Sequence, residues 1–359
     1  MTTIRTVAER AGVSMKTVSR ALNNPDSVSS NTRERILAVA EALNFVPDQR
    51  ARGMRLGRSG VVGLLTDVIA STPCAVDIVR GVEDYLSEQG YSMLIGNTES
   101  RAGSSEAVLR GFRASRVEGV LYAATYHRLA EEFHPPPSMP SVLVNCFHST
   151  PDLPTVVPDE ERGGYAAIEH LLSLGHRSIT YLTLAPEIEA TRLRMKGALR
   201  AMREAGISAT TESFAVTGQT GTGAFSQAEA YEAAHNLLLR RVRPTAIFCG
   251  NDEMALQVFN AAADLGIAIP EALSVVGFDD HRLFSEGMRP GLTTVALPYQ
   301  KMGRLAAELL LNELGGSTQR GVVRVDGPLV VRASTRAVDG KAAPARKARS
   351  RASAKLVSP

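Results

Sequence analysis

Three observations predict an all-α helix-turn-helix headpiece followed by an α/β body of two doubly wound lobes. Residues 4–23 place apolar or small side chains at helical spacing on both sides of Gly12. From residue 61 onward, short apolar runs alternate with helical patterns in two similar sets, the first ending near Pro158 and the second near Met288. Basic side chains crowd the start of the chain, where residues 1–60 hold ten Arg or Lys against five Asp or Glu.

The headpiece reads as three short helices. Ile4, Val7, Ala8 and Ala11 mark one apolar face, Gly12 makes the turn, and Val18 and Leu22 mark the second helix. Ser14 stands where a helix N-cap is wanted, so the second helix should point Met15, Lys16, Ser19, Arg20 and Asn23 away from the packed side, as groove-reading residues do. A third helix should follow Ser29, Ser30 and Asn31, bury Ile36, Leu37, Ala40 and Leu43, and end near Asn44 ahead of Pro47. Residues 47–60 read either as a short hinge helix, opened by Pro47 and Asp48 and stopped by Gly57, or as a flexible basic linker. Such a helix is too short to stand alone and would order only against a partner chain and DNA.

Length and charge set the frame. At 359 residues the chain has room for the headpiece and two further lobes. The net charge of +3 is unevenly spread: about +5 over residues 1–60, +6 over residues 336–359, and about −8 between them. A basic head on an acidic body places polyanion binding at the N-terminus. The Ala-, Ser- and Lys/Arg-rich tail, 337–359, is expected to be disordered. There is no leader pattern and no apolar run long enough to span a bilayer, so the expected location is cytoplasmic, nucleoid-associated when DNA-bound. Three distant cysteines, Cys74, Cys146 and Cys249, argue against a disulfide framework or zinc site. No phosphate-binding GxxxxGK, GxSxG elbow, HExxH or CxxC appears, so neither an enzyme nor a cofactor or metal is expected. A free sugar-binding protein of the periplasmic type would share the body but not the DNA-reading head.

In the body, strands are expected at Val61, Ser92, Val117, Ser141, Ser178, Ala246 and Ser274. Helices are expected over 77–89, 104–115, 165–174, 190–205, 226–239, 253–265 and 302–314. Ligands of open α/β sheets bind beyond the carboxyl ends of the strands. Thr66, Asp67, Asn97, Asn145, Asn251, Asp252, Asp279 and Asp280 fall there, and amides and carboxylates suit a polyol or sugar. Taken singly, such residues more often form a turn or cap a helix, and it is their recurrence at one edge that points to a ligand; Asp252 is expected to cap a helix beginning at Glu253. Asp280 and His281 are expected to serve loop structure.

VAERAGVSMKTVSRALN followed by RILAVAEALNFVPDQRARGMRLG is similar to the lactose-repressor (LacI) family of bacterial regulators, and the resemblance covers residues 3 to 336. It extends through ATRLRMKG, AIFCGNDEMALQVFNAAADLGIAIPEALSVVGFDD and RPGLTTVALPYQKMGRLAAELLL. It implies a periplasmic-binding-protein-like body behind the headpiece and a hinge helix that pairs across a homodimer on pseudo-palindromic operator DNA. Met15, Lys16 and Arg20 would then contact base edges. Arg5, Ser14, Ser19, Asn23, Ser29 and Thr32 would fix the DNA backbone, and Ala51 and Met54 would lie in the hinge, Met54 where relatives carry a wedging leucine. Arg194, Asn251 and Asp279 would clamp a small effector against Phe225, with Tyr299, Asn145, Thr72 and Asn97 completing the pocket. The implied division is 1–46 headpiece, 47–59 hinge, 60–161 with about 295–325 as one lobe, and 162–294 with about 326–336 as the other. The function implied is an effector-responsive transcriptional regulator, a repressor of a carbohydrate operon released by a sugar-like inducer. A corepressor mechanism with a purine-like or other ligand is the alternative.

Overall fold

The computed structural model describes residues 3–23, 27–45, 58–67, 76–98, 104–150, 152–218, 226–317 and 319–338. The expected hinge, 47–59, lies almost wholly outside them, as does the tail beyond residue 338. Two compact units divide at Gly60.

The first unit is helical: α1 (Ile4–Ala11), α2 (Met15–Asn23) and α3 (Ser30–Ala42). Thr3 caps α1 by accepting from the Thr6 amide at 3.4 Å. Gly12 ends it at φ 63°, a left-handed conformation that a side chain would resist. Val7, Ala8, Ala11, Val18, Ala21, Ile36 and Ala40 form the core, closed by Ile4, Val13, Leu22, Val39, Leu43 and Phe45. The small residues among them let three short helices approach closely enough to share one cluster. One expected core residue is corrected: Leu37 is 40 % exposed, and Val39 takes the inner position beside Ala40. α3 stops because Asn44 turns left-handed at φ 46°, which returns Phe45 onto the core through its amide bond to the Ala40 carbonyl.

The second unit holds two six-stranded sheets. The first contains β1 (Val61–Thr66), β2 (Ser92–Asn97), β3 (Gly119–Leu129), β4 (Ser141–Phe147), β5 (Thr155–Pro158) and β11 (Val322–Val325). Their order is β11-β5-β4-β3-β1-β2, parallel throughout. The second contains β6 (Ile179–Thr183), β7 (Ala215–Thr217), β8 (Ala246–Cys249), β9 (Ser274–Asp279), β10 (Thr293–Ala296) and β12 (Leu329–Val330). Their order is β12-β10-β9-β8-β6-β7, with β12 antiparallel to β10. The same order of crossovers in both sheets makes two lobes of one design. The helices between the strands are α4 (Val76–Glu88), α5 (Ser104–Ala114), α6 (Glu160–Ser173), α7 (Glu189–Glu204), α8 (Thr211–Phe214), α9 (Gln227–Leu238), α10 (Asp252–Asp264), α11 (Arg282–Ser285) and α12 (Tyr299–Leu314).

The chain crosses between the lobes three times: from β5 into α6, from β10 into α12, and from β11 to β12. Each lobe is therefore completed by a segment that arrives after the other has begun. Helix α12 returns to pack on α4 in the first lobe, and α6 packs on α7 in the second. Both pairs meet through glycines. A β-carbon on Gly81 or Gly303 would strike the Gln300 or Ile78 carbonyl, and one on Gly164 or Gly197 would strike the backbone of Arg194 or Glu161.

This close approach is testable. Ala favours a helix over Gly by about 0.5–1 kcal/mol, so Gly111→Ala on α5, where nothing stands near, should raise stability by that amount. Gly197→Ala should instead lower it by about 1–3 kcal/mol, the cost of overpacking, in urea unfolding. Equal shifts of one sign would show that the α6–α7 contact does not need the missing side chain.

Candidate functional site

Two groups of residues carry the candidate chemistry, one on each unit. On the headpiece, Ser14 caps α2 by accepting from the Thr17 amide at 3.1 Å, and its hydroxyl meets that of Thr17 at 2.9 Å. With Val18 and Ala21 buried, helical geometry turns Met15, Lys16 and Arg20 outward; Met15 is 52 % exposed. The exposed face of α2 therefore carries Met15 with two cations, Lys16 and Arg20, opposite the face that joins the core. Arg5 is exposed and donates to Glu9 at 3.0 Å. Ser29 donates to the Thr32 hydroxyl at 2.9 Å, at the start of α3. Ser19 is half-buried on α2 and Asn23 closes that helix, while Ala51 and Met54 lie outside the described residues.

On the body, polar residues collect at the carboxyl ends of the strands. Arg194 on α7 is the centre of the second lobe's set and is only 3 % exposed. Its Nε donates to Glu160 Oε2 at 2.6 Å and its Nη2 to Glu160 Oε1 at 3.1 Å. Nη1 donates to the Gly250 carbonyl, and the guanidinium lies 3.6 Å from the centre of the Phe278 ring. Asp279 Oδ1 stands 3.9 Å from Nη2. Glu160 is placed by its local sequence: Asp159 caps α6 by accepting from the Arg162 amide at 3.0 Å, and acidic residues suit the first turn of a helix.

Asp279 ends β9 with φ 107°, and Asn145 near the end of β4 has φ 56°. Non-glycine residues held in such conformations cluster at functional sites, where the surrounding structure imposes them. The loop after Asp279 is imposed by Asp252, whose Oδ2 accepts from the His281 amide at 2.7 Å and whose Oδ1 accepts from Thr294 Oγ1 at 2.6 Å. The expectation for Asp252 is therefore corrected. Asn251 caps α10, accepting from the Met254 amide at 2.8 Å, which frees Asp252, the first helical residue, to face inward. Asp280 pairs with Arg332 at 2.7 Å and accepts from Ser285 at 2.8 Å, a loop-fastening role.

In the first lobe, Asn145 donates through Nδ2 to the Ala124 and Thr125 carbonyls, both at 3.0 Å. The β3–β4 register shifts between Ala123 and Arg128, so the Thr125 amide turns to Asp67 at 3.1 Å while its hydroxyl donates to Asp67 Oδ1 at 2.7 Å. Asn97 and Asn145 each keep a buried side-chain oxygen without a hydrogen-bond partner among the described residues, as do His127 Nδ1, Thr191 Oγ1 and Tyr181 OH. Buried polar atoms are normally satisfied, so each of these is a position where a bound molecule could supply the missing hydrogen bond. Thr72 and Phe225 lie outside the described residues. Tyr299 is a core residue here, packed with Val62, Val82 and Met302.

The lobes meet where β3 touches the second lobe. Tyr126 packs on the cluster around Leu184 and Met254, and His127 Nδ1 lies 4.0 Å from Glu160 Oε1. A groove lined by His127, Phe147 and His148 on one side and Glu160, Glu189 and Arg192 on the other adjoins that contact; it includes Glu160 but neither Arg194 nor Asp279. Glu160 and His127 were not legible in the sequence. Glu160 reads as one more acid in a DEE run at a helix start, and His127 as one of seven scattered histidines. Among the described residues no group of His, Cys, Asp and Glu could hold a metal ion, and no helix is long and apolar enough to cross a membrane.

Two sequence profiles match the chain: bacterial regulatory proteins of the lacI family over residues 3–48, and a periplasmic binding protein-like domain over residues 168–335. The HTH-type transcriptional repressor PurR of Photobacterium profundum is 31% identical over 339 residues, covering 94% of this chain and 99% of its own. The lac repressor dimer bound to operator and the anti-inducer ONPF superposes with a TM-score of 0.74 at 26% identity, covering 94% of this chain and 99% of that one. The transcriptional regulator CelR in complex with cellobiose superposes with a TM-score of 0.64 at 27% identity, covering 93% and 100%.

Burial pushes the Asp279 carboxyl up to about 7 against the pull of Arg194, with Glu160 and Glu253 adding to the rise. The folded state therefore favours the proton: this group's contribution is greatest at low pH and is lost as pH rises through about 7. From about pH 5 to pH 8 that loss should be roughly 2–3 kcal/mol. Asp279→Asn cannot titrate, so its unfolding free energy should fall less than that of the wild type over this range. Parallel pH profiles would contradict the burial of this carboxyl.

Proposed function

Because the chain belongs to the LacI family of bacterial regulatory proteins and is a DNA-binding transcriptional regulator, we propose that it is a repressor of a carbohydrate-utilisation operon released by a sugar-like inducer. The observation that carries the effector half of this reading is the Arg194, Glu160 and Asp279 cluster beside a strained strand end. A planar guanidinium with two carboxylates offers donors and acceptors to adjacent hydroxyls. The relative with cellobiose bound supports a sugar as the ligand class.

On this reading α2 lies in the major groove. Met15, Lys16 and Arg20 meet base edges, and Arg5, Ser14, Ser19, Asn23, Ser29 and Thr32 hold the phosphate backbone. Two chains bind a pseudo-palindromic operator, with residues 47–59, including Ala51 and Met54, opening the minor groove. Arg194, Asn251, Asp279, Asn97 and Asn145 hold the inducer, with Thr72 and Phe225 around it. The inducer prefers the lobe arrangement in which the two heads are not held together. It can shift the equilibrium only by its differential affinity, and a hundredfold preference corresponds to about 2.7 kcal/mol.

Fluorescence-anisotropy titration of a labelled operator tests both halves. Lys16→Ala and Arg20→Ala should each cost about 1–3 kcal/mol per contact, and the one that reads a base should relax specificity at one base pair per half-site. Cellobiose, ribose and similar sugars should include one that weakens operator binding by the intact chain, and Asp279→Ala should blunt that response. If the effective small molecule tightens binding instead, the chain works with a corepressor. If neither alanine variant changes operator affinity, α2 is not the reading helix.

A further inference from the structure

Arginine is the side chain best shaped to grip a phosphate or carboxylate, because its fork presents parallel donors. In this chain three of its five N–H donors are already engaged inside the protein. Both Glu160 oxygens accept from Arg194, at 2.6 and 3.1 Å, and Nη1 is held by the Gly250 carbonyl. One face of the guanidinium is covered by the Phe278 ring at 3.6 Å. A second carboxylate, Asp279, stands 3.9 Å away. The cluster therefore sets two acids against one base.

Among the described residues, Arg324 beside His127 is exposed, and the other cations around these groups are engaged by other acids or carry little charge. His127, which faces Glu160 at 4.0 Å, is pushed toward its neutral form by burial. Arg128 of the first lobe is held by Glu132 at 2.7 Å, Tyr122 at 3.3 Å and Asp67 at 3.5 Å. Arg192 is exposed and bound to Glu189.

We infer that Glu160 is a specificity-determining residue: by occupying the Arg194 fork it makes the site select an uncharged, hydroxyl-rich effector and refuse an anionic one such as a sugar phosphate. This rests on the reading of the cluster as the effector site. An anion would either have to displace Glu160, leaving a buried carboxylate without its partner, or meet the two remaining Arg194 N–H groups beside the Glu160 and Asp279 carboxyls, whose charge repels it. A neutral polyol needs no such exchange. A carboxylate has about four acceptor positions, so Glu160 can keep Arg194 and still accept from a hydroxyl, and Asp279 can accept from the next one.

Calorimetric titration of the full-length protein with inorganic phosphate and with glucose 6-phosphate tests this. The wild type should show no saturable binding of either, whereas Glu160→Gln, which removes one of the two carboxyl groups beside Arg194, should bind both at least about tenfold more tightly. Should Glu160→Gln not fold, Asp279→Asn also removes an acid beside Arg194 and should shift affinity in the same direction. Uptake of either anion by the wild type that disappears in Arg194→Gln overturns the inference, as does a folded variant that gains no anion binding. If no uncharged sugar changes operator affinity while both anions are still refused, the sugar reading fails and the selectivity assigned to Glu160 stands.

Discussion

A guanidinium carried out of water must bring its counter-charge and its hydrogen-bond partners with it, and Arg194 sets that condition for the second lobe. It is satisfied from three elements at once: Glu160 at the start of α6, the Gly250 carbonyl after β8, and Phe278 with Asp279 at the end of β9. Those contacts fix where α7 sits, and α7 can sit there only because Gly164 and Gly197 let it press against α6. Removing Arg194 would leave Glu160 buried without its hydrogen-bonded cation. The strained φ of 107° at Asp279 is part of the same arrangement, because Asp252 pins the loop that follows.

Glu160 also marks the seam between the lobes. It is the first helical residue after the β5 crossover, and His127, from the first lobe, lies 4.0 Å from it. A ligand that engages Arg194 or Asp279 alters the surroundings of a carboxylate that faces both lobes. The three crossovers limit how the lobes can move, which favours hinge-like rotation about them over separation.

Much of this was legible in the sequence because periodicity and turn chemistry are local. Helical spacing located α1 and α2, and the apolar runs at Val61, Ser92, Ser141, Ala246 and Ser274 begin five of the observed strands. What failed was what depends on tertiary partners. Leu37 has the right chemistry for the core but the wrong angular position once Ile36 and Ala40 are both inside. Asn251 and Asp252 are both good caps, and only the packing of β9 and β10 shows which one turns inward. The strands β5, β7, β10, β11 and β12 span only two to four residues, and β11 and β12 form by pairing with segments distant in sequence. Glu160 gave no signal, since a buried carboxylate and a solvated one are the same letter.

On the proposed function a DNA-reading head and a ligand-binding cleft share one equilibrium, and thermodynamic linkage makes their coupling reciprocal. The most direct measurement is the sugar dissociation constant of the intact chain, by calorimetry, with and without saturating operator. Operator should weaken sugar binding by the same factor by which the sugar weakens operator binding. An identical constant in both conditions would contradict the coupling.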